Sequence, residues 1–280
     1  MQEDNHNVRL AVLIDADNIS YHYIKGLMQE VALLGTPTIK RIYGDWTRPN
    51  LSGWKPLLLD YAITPVQQFG YTYGKNATDS ALIIDAMDIL YAERVDGFCL
   101  VSSDSDFTRL ATRLREAGKV VYGIGEQKTP NAFIAACDKF IYIEILNDGE
   151  DNEEASLDES ADPANPQEGS GWQPGLHNIP LSRPAVRTIH KVDDDVKNLI
   201  YNCIMDLADE QGWAFLGDVG NLILRVRPSF DPRNYGYSKL TPLIRDIDGI
   251  EIDERATGQN NVKHIYIRLN GRRYPAEVQA

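Results

Sequence analysis

Residues 8–146 alternate short apolar runs with helical stretches, and this alternation is the feature that most constrains the fold. Runs such as RLAVLI, TIKRIYG, GFCLVS, VVYGIG and FIYIEIL are typical of buried strands. Between them lie stretches with helical spacing, including helices predicted at about 78–92 and 107–116. This alternation favours right-handed crossovers and a sheet with helices on both faces. We therefore predict an α/β domain with a doubly wound, mostly parallel sheet.

The C-terminal part of the chain shows a different pattern. The stretch VDDDVKNLIYNCIMDLADEQG has helical spacing, and two further helices are predicted at about 219–224 and 235–247. Two alternating runs, IEID and KHIYIRL, then flank the turn-rich ERATGQNN, as in a β-hairpin. Three helices followed by a hairpin predict a second, smaller winged helix-turn-helix domain.

An acidic stretch separates these two parts. The 280 residues carry a net charge of -13, and residues 147–185 contribute nine acidic residues and one basic residue. This stretch is rich in Pro, Gly and Ser and poor in aliphatic residues, which predicts disorder. We therefore predict an α/β domain at 1–146, a disordered linker at 147–190, a winged-helix domain at 191–272 and a tail at 273–280.

The remaining composition favours a cytoplasmic protein. No apolar run approaches the roughly 20 residues that a membrane span requires, and the polar start MQEDNHN lacks the features of a secretory signal. Cys99, Cys137 and Cys203 are isolated within apolar stretches, which argues against disulfides and thiolate metal sites. We expect no membrane partner.

Acidic residues follow two strands of the predicted sheet. Asp15 and Asp17 come directly after LAVLI, and Asp104 and Asp106 come after FCLV. Asp79 falls in the first turn of the helix predicted at about 78–92, which lies between these two strands in the sequence. Because ligands of open α/β sheets bind beyond the carboxyl ends of the strands, we expect these carboxylates to lie close together.

Clustered carboxylates repel one another unless a cation neutralises them. Oxygen ligands without nearby His or Cys favour Mg²⁺ or Mn²⁺, and such ions activate water for phosphodiester hydrolysis. The alternative is that Asp17, Ser103 or Asp106 only caps a helix. Asp85 and Asp88 lie on other helical faces than Asp79 and are expected to be structural or supporting residues.

Three segments resemble the NYN domain of the PIN-like nucleases, in its LabA-like bacterial group. They are LAVLIDADNIS, GKNATDSALIIDAMD and VSSDSDFTRLATRLREAGKVVYGIG, and the resemblance spans about residues 8–146. It implies hydrolytic cleavage of RNA at a metal site. The number of metal ions stays open, because we place no further acid between the second strand and Asp79. The assigned catalytic residues are Asp15, Asp79 and Asp104. The metal ligands are these three residues and Asp106. Asn18, Ser103 and Asp106 are assigned as supporting residues.

Substrate contacts are predicted near Asp79. Lys75 and Tyr73 lie in the preceding loop, where they can hold a phosphate and stack on a base. Arg109, at the start of a helix, is a further candidate for substrate binding. Each of these residues can equally be an ordinary surface side chain.

The C-terminal domain also resembles a known family. SFDPRNYGYSKLTPLIRDIDGIEID and the following hairpin resemble an OST-type helix-turn-helix, or LOTUS domain, over about residues 192–269. The resemblance implies binding of RNA, single-stranded or structured, or of a partner protein. Tyr235 and Tyr237 can alternatively pack in the core. The candidate RNA contacts are Arg233, Tyr237, Lys239 and Lys263.

The sequence thus predicts a Mg²⁺- or Mn²⁺-dependent ribonuclease with an RNA-binding module. One alternative is an RNA-binding adaptor without catalytic activity. Another is a phosphatase of the haloacid dehalogenase type, in which Asp15 would be the nucleophile.

Overall fold

A six-stranded parallel sheet forms the first domain in the computed structural model, which describes residues 8–69, 77–146, 190–256 and 263–270. The strand order is β3-β2-β1-β4-β5-β6. The order reverses between β1 and β4, and the crevice at the carboxyl ends of two such strands is where α/β sheets bind ligands. The strands are β1 (Arg9–Asp15), β2 (Thr36–Gly44), β3 (Thr64–Gln67), β4 (Gly97–Val101), β5 (Val120–Gly125) and β6 (Lys139–Tyr142).

Helices cover both faces of this sheet. Alternate residues of β1 enter opposite cores, with Val12 and Ile14 on one side and Ala11 and Leu13 on the other. The doubly wound fold is therefore confirmed, as are the helices predicted at about 78–92 and 107–116. One face carries α1 (Ile24–Leu34) and α2 (Trp54–Asp60), and the other carries α3 (Ala77–Tyr91), α4 (Thr108–Glu116) and α5 (Asn131–Ala136).

The second domain is a winged helix-turn-helix, as predicted. Its antiparallel sheet has the order β7-β9-β8, and the two-residue strand β7 was not expected, because two residues show no periodicity. A separate core of apolar residues joins its helices to this sheet. The elements are α6 (Asp194–Leu207), β7 (Ala214–Phe215), α7 (Leu216–Val226), α8 (Leu240–Asp246), β8 (Ile250–Ala256) and β9 (Lys263–Leu269).

The third helix of this domain, α8, begins at Leu240, so the prediction that it starts near Tyr235 was wrong. Pro232–Tyr235 form a single 3-10 turn, which Gly236 ends with a left-handed φ of 85°. Arg233 therefore lies before the helix rather than at its N-terminus. Tyr235 is 8% exposed and packs in the core, as the alternative interpretation allowed.

The two domains contact each other beside β6. The backbone N–H of Phe140 donates to the carbonyl of Pro228 at 2.8 Å, and Arg233 forms an ion pair with Glu30 of α1. The predicted linker, apart from residue 190, and the predicted tail lie outside the described residues. None of the helices in the described part of the chain is both long and apolar enough to cross a lipid bilayer.

Candidate metal-binding active site

The carboxyl ends of β1 and β4 meet at the centre of the sheet, as the sequence predicted. Asp15 is the last residue of β1 and is 1% exposed. Ser102 and Asp104 follow β4 directly, and Asp104 caps the 3-10 turn that leads into α4. Because β1 and β4 are hydrogen-bonded neighbours, these side chains share one edge.

The Asp15 carboxylate is held by donors from two directions. Its Oδ2 accepts from Asn18 Nδ2 at 2.6 Å and from Ser102 Oγ at 2.9 Å. Burial raises the pKa of Asp15 above its ordinary value, although the hydrogen bonds from Asn18 and Ser102 act in the opposite direction. The charge of nearby Asp17 raises it further.

Asp79, Asp104 and Asp106 form a cluster with metal-ligand spacing. One carboxylate oxygen from each lies within 4.8 Å of those of the other two. Burial raises the pKa of Asp79 to about 6, and the charges of Asp15 and Asp104 add to this effect. The site therefore stores electrostatic repulsion that a divalent cation would relieve.

Of the four predicted metal ligands, Asp15 is the one outside this three-residue cluster. It lies at the end of the central strand β1, and its charge contributes to the raised pKa of Asp79. Asn18 contacts it as a supporting residue would. Ser103 lies elsewhere in the loop, where its hydroxyl accepts from the backbone N–H of Glu126 at 2.8 Å, after β5. These positions do not test the predicted roles, which remain proposals.

The sequence analysis did not single out Ser102 or Thr78. The Ser102 hydroxyl donates to Asp15 and accepts from the backbone N–H of Asp104 at 3.1 Å, so it joins the two strand ends. Thr78 Oγ1 donates to Asp17 Oδ2 at 3.2 Å, which links the start of α3 to the loop after β1. The available signal was position, because Ser102 is the first residue after β4.

A further acid, Asp45, follows β2 on this edge and is 8% exposed. Its Oδ1 accepts from Thr47 Oγ1 at 2.6 Å and from Gln67 Nε2 at 3.0 Å, so it organises its own loop. Asp85 on α3 accepts from Arg41 and from the Tyr43 hydroxyl, in line with the expected structural role.

The predicted substrate contacts are only partly visible. Tyr73 and Lys75 lie outside the described residues. Arg109 is exposed in the first turn of α4, which follows the turn that carries Asp106. An exposed guanidinium one turn beyond the acidic cluster is suitably placed for a phosphate, and its role remains a prediction.

The four candidate RNA contacts of the second domain occupy different environments. Lys239 is exposed immediately before α8, and Lys263 is exposed on β9, with its Nζ 3.0 Å from Glu254 Oε2. The Tyr237 hydroxyl donates to Asp246 Oδ2 at 2.8 Å. Arg233 faces the first domain rather than solvent. The structure does not test RNA binding by any of the four.

Aromatic and guanidinium groups also stack on the three-stranded sheet. The guanidinium carbons of Arg255 and Arg268 lie 5.3 and 4.5 Å from the ring centroid of Trp213. Arg255 also lies 4.0 Å from the Tyr266 ring, and Glu251 is 2.5 Å from the Arg268 guanidinium. The two guanidinium groups are therefore already paired with aromatic rings or a carboxylate, which is typical of structural cation–π contacts.

Comparison with known proteins identifies both domains. Residues 9–144 match the NYN domain family, and residues 188–262 match the OST-HTH/LOTUS domain family. The two matches coincide with the parallel sheet and with most of the winged helix. No curated protein matches the sequence.

Several solved structures resemble parts of the chain. A protein of unknown function from Vibrio parahaemolyticus is 22% identical with a TM-score of 0.42, covering 51% of this chain and 96% of that one. An uncharacterized protein from Nitrosomonas europaea is 25% identical with a TM-score of 0.27, covering 39% and 96%. A protein from Chromobacterium violaceum is 28% identical with a TM-score of 0.25, covering 33% and 98%.

Proposed function

Because this chain contains an NYN domain followed by an OST-HTH/LOTUS domain, we propose that it is a divalent-metal-dependent ribonuclease. The observation that carries the proposal is the carboxylate cluster of Asp79, Asp104 and Asp106 beside buried Asp15. It lies at the crevice where the topology of such sheets places ligands. Hydrolysis of RNA phosphodiester bonds is the chemistry that such a site supports.

The donor set fits Mg²⁺ or Mn²⁺. Every group in the cluster is a carboxylate oxygen, and the raised pKa of Asp79 reflects burial and negative charge that a divalent cation offsets. Asp79, Asp104 and Asp106 would hold the ion, with Asp15 as the further ligand. When bound, the ion supplies a Lewis acid for the phosphate and activates water.

The surrounding residues would keep these carboxylates in place. Asn18 and Ser102 fix the orientation of Asp15, and Ser103 ties the loop after β4 to the loop after β5. Arg109 and Lys75 are proposed to bind substrate phosphate, and Tyr73 is proposed to stack on a base.

The two alternative functions receive less support. The match of residues 9–144 to the NYN domain family weighs against a phosphatase of the haloacid dehalogenase type. An adaptor without catalytic activity has no need of carboxylates whose burial and mutual repulsion raise the pKa of Asp79. The three cysteines are buried and have free thiols, which agrees with the proposed cytoplasmic location.

Cleavage of labelled single-stranded and structured RNA tests the function. We expect cleavage with Mn²⁺ or Mg²⁺, loss of cleavage in EDTA, and loss in an Asp15→Asn protein purified in the same way. Retained cleavage by that variant would identify a contaminating nuclease or a wrong site. If both proteins bind RNA and neither cuts it with either metal, the adaptor interpretation replaces the nuclease.

RNA binding by the second domain is tested separately. Lys239 and Lys263 are its exposed candidate cations, so Lys239→Ala and Lys263→Ala should each weaken binding. Each lost phosphate contact is expected to lower the slope of log affinity against log salt by about 1. Lys55→Ala, at an exposed position of α2, is the matched control. If the slope of log affinity against log salt is unchanged in both lysine variants, we would conclude that the partner of this domain is a protein.

A further inference from the structure

One guanidinium joins carboxylates from both domains. Arg233 donates from Nη1 to Glu30 Oε2 at 2.6 Å and from Nη2 to Glu30 Oε1 at 2.9 Å. It also donates from Nε to Asp231 Oδ1 at 2.9 Å and from Nη2 to Asp231 Oδ2 at 2.7 Å. Two bidentate arrangements around a single side chain fix its position, because the planar guanidinium fork matches both carboxylates.

Both carboxylates are buried where the domains meet. Glu30 is 4% exposed and Asp231 is 6% exposed. Burial opposes the charged form of Asp231, but the hydrogen bonds and charge of Arg233 outweigh it and lower its pKa. Among the ion pairs of the described residues, Glu30 pairs only with Arg233. The first domain therefore contains a buried charge that a residue of the second domain compensates.

The contact extends beyond the ion pairs to the exposed edge of the sheet. Phe140 on the edge strand β6 donates its N–H to the Pro228 carbonyl at 2.8 Å. The His190 ring lies 6.0 Å from the ring of Tyr142 and 6.0 Å from that of Tyr235. An open strand edge invites pairing with other chains, so this contact also protects β6.

The contact lies near the catalytic edge. Tyr142 ends β6 and pairs with Gly125, the last residue of β5, while Val101 at the end of β4 pairs with Ile124. The aromatic contact with His190 is therefore at the carboxyl end of the sheet. Two strand spacings, about 10 Å, separate β6 from β4, which leads to Asp104.

We propose that Arg233 locks the OST-HTH/LOTUS domain onto the β6 side of the NYN domain, making the two domains one rigid unit in solution. The occupant of the NYN surface is the 228–235 segment of the same chain together with His190, since Pro228 supplies the backbone acceptor, His190 the aromatic contact and Arg233 the compensating charge. RNA held by the second domain then has a fixed position relative to the acidic edge. The lock does not depend on catalytic activity.

Distance measurement between two spin labels in the full chain tests the lock. Labels at Asp88→Cys on α3 and Asn221→Cys on α7 occupy exposed helical positions, one in each domain. If the Arg233 contact did not form, a tether as long as residues 147–189 would let the position of the second domain vary by about 35 Å. We expect a single narrow distance instead. The native cysteines, at most 2% exposed, should remain unlabelled: Cys99, Cys137 and Cys203.

Two variants remove the lock from opposite sides. Arg233→Met and Glu30→Gln should each broaden the distance distribution, while Arg225→Met, an exposed arginine of α7, should leave it narrow. Circular dichroism checks that each domain remains folded. A broad distribution in the parent protein overturns the proposal, and so does an unchanged narrow one in both variants. A narrow distance between singly labelled chains would assign the contact to two copies and also overturn it.

Discussion

Replacing Asp104 by Asn is expected to reduce RNA cleavage by about 10³-fold or more, because it removes a charged ligand from the three-carboxylate cluster. The fold should tolerate the change. Asp104 Oδ1 accepts from the backbone N–H of Asp106 at 2.9 Å, and the amide oxygen of Asn can accept the same hydrogen bond. RNA affinity should stay the same or rise slightly, since one negative charge near the phosphates is lost.

The measurement compares single-turnover cleavage with RNA binding in EDTA for the same protein preparation. Asp88→Asn is the matched control, because Asp88 is exposed on α3 and lies outside the cluster. Its cleavage rate should equal that of the parent protein. Full activity in Asp104→Asn would contradict the site assignment, whereas loss of RNA binding together with cleavage would indicate a folding defect.

The central part of the site could be predicted because its signals are local. Each strand of the sheet has its own apolar run, and residues after the runs must lie at the carboxyl edge of a parallel sheet. That rule was enough to bring Asp15 and Asp104 together. It did not reveal that Asp15 Oδ2 is occupied by Ser102 and Asn18, because side-chain hydrogen bonds depend on rotamers that spacing does not determine.

Features that depend on distant residues were not predictable. Glu30 and Arg233 are 203 positions apart in the sequence, and neither has a pattern that indicates its partner. The sequence made Arg233 a candidate RNA contact, with the third helix expected to begin close to it, near Tyr235. In the structure, a 3-10 turn and the left-handed Gly236 occupy this part of the chain, and α8 begins only at Leu240. The acidic composition of residues 147–185 suggested a disordered linker between the domains. It carries no information on contact between the domains, because that contact depends on surfaces that form only when both domains have folded.

Replacing Asp79 by Asn is expected to stabilise the metal-free protein at neutral pH while removing cleavage. Asp79 is 7% exposed, has a pKa of about 6, and faces the charges of Asp15 and Asp104. An unfolded Asp has a pKa near 3.9, so folding with the charged form costs roughly 3 kcal/mol above pH 6. Asparagine has no charge to bury, and the variant should recover that amount.

The pH dependence follows from the same difference. Between about pH 4 and pH 6 the folded protein binds a proton at Asp79 that the unfolded chain releases, so stability falls as pH rises through this range. Below pH 4 both states are protonated, and Asp79→Asn should differ little from the parent. Above pH 6 both states are charged, and the gain should be constant.

Urea unfolding in EDTA at pH 4.5 and pH 7.5 measures the gain, with Asp88→Asn as the exposed control, expected to change stability by less than about 0.5 kcal/mol. Added Mn²⁺ should reverse the order at pH 7.5. A ligand that binds only the folded state stabilises it, and the parent has the complete carboxylate cluster. Equal stabilities of parent and variant in EDTA would mean that the cluster holds no repulsion for a cation to relieve. A more stable Asp79→Asn variant in EDTA would show that the cluster contains unfavourable charge, which a bound cation would offset.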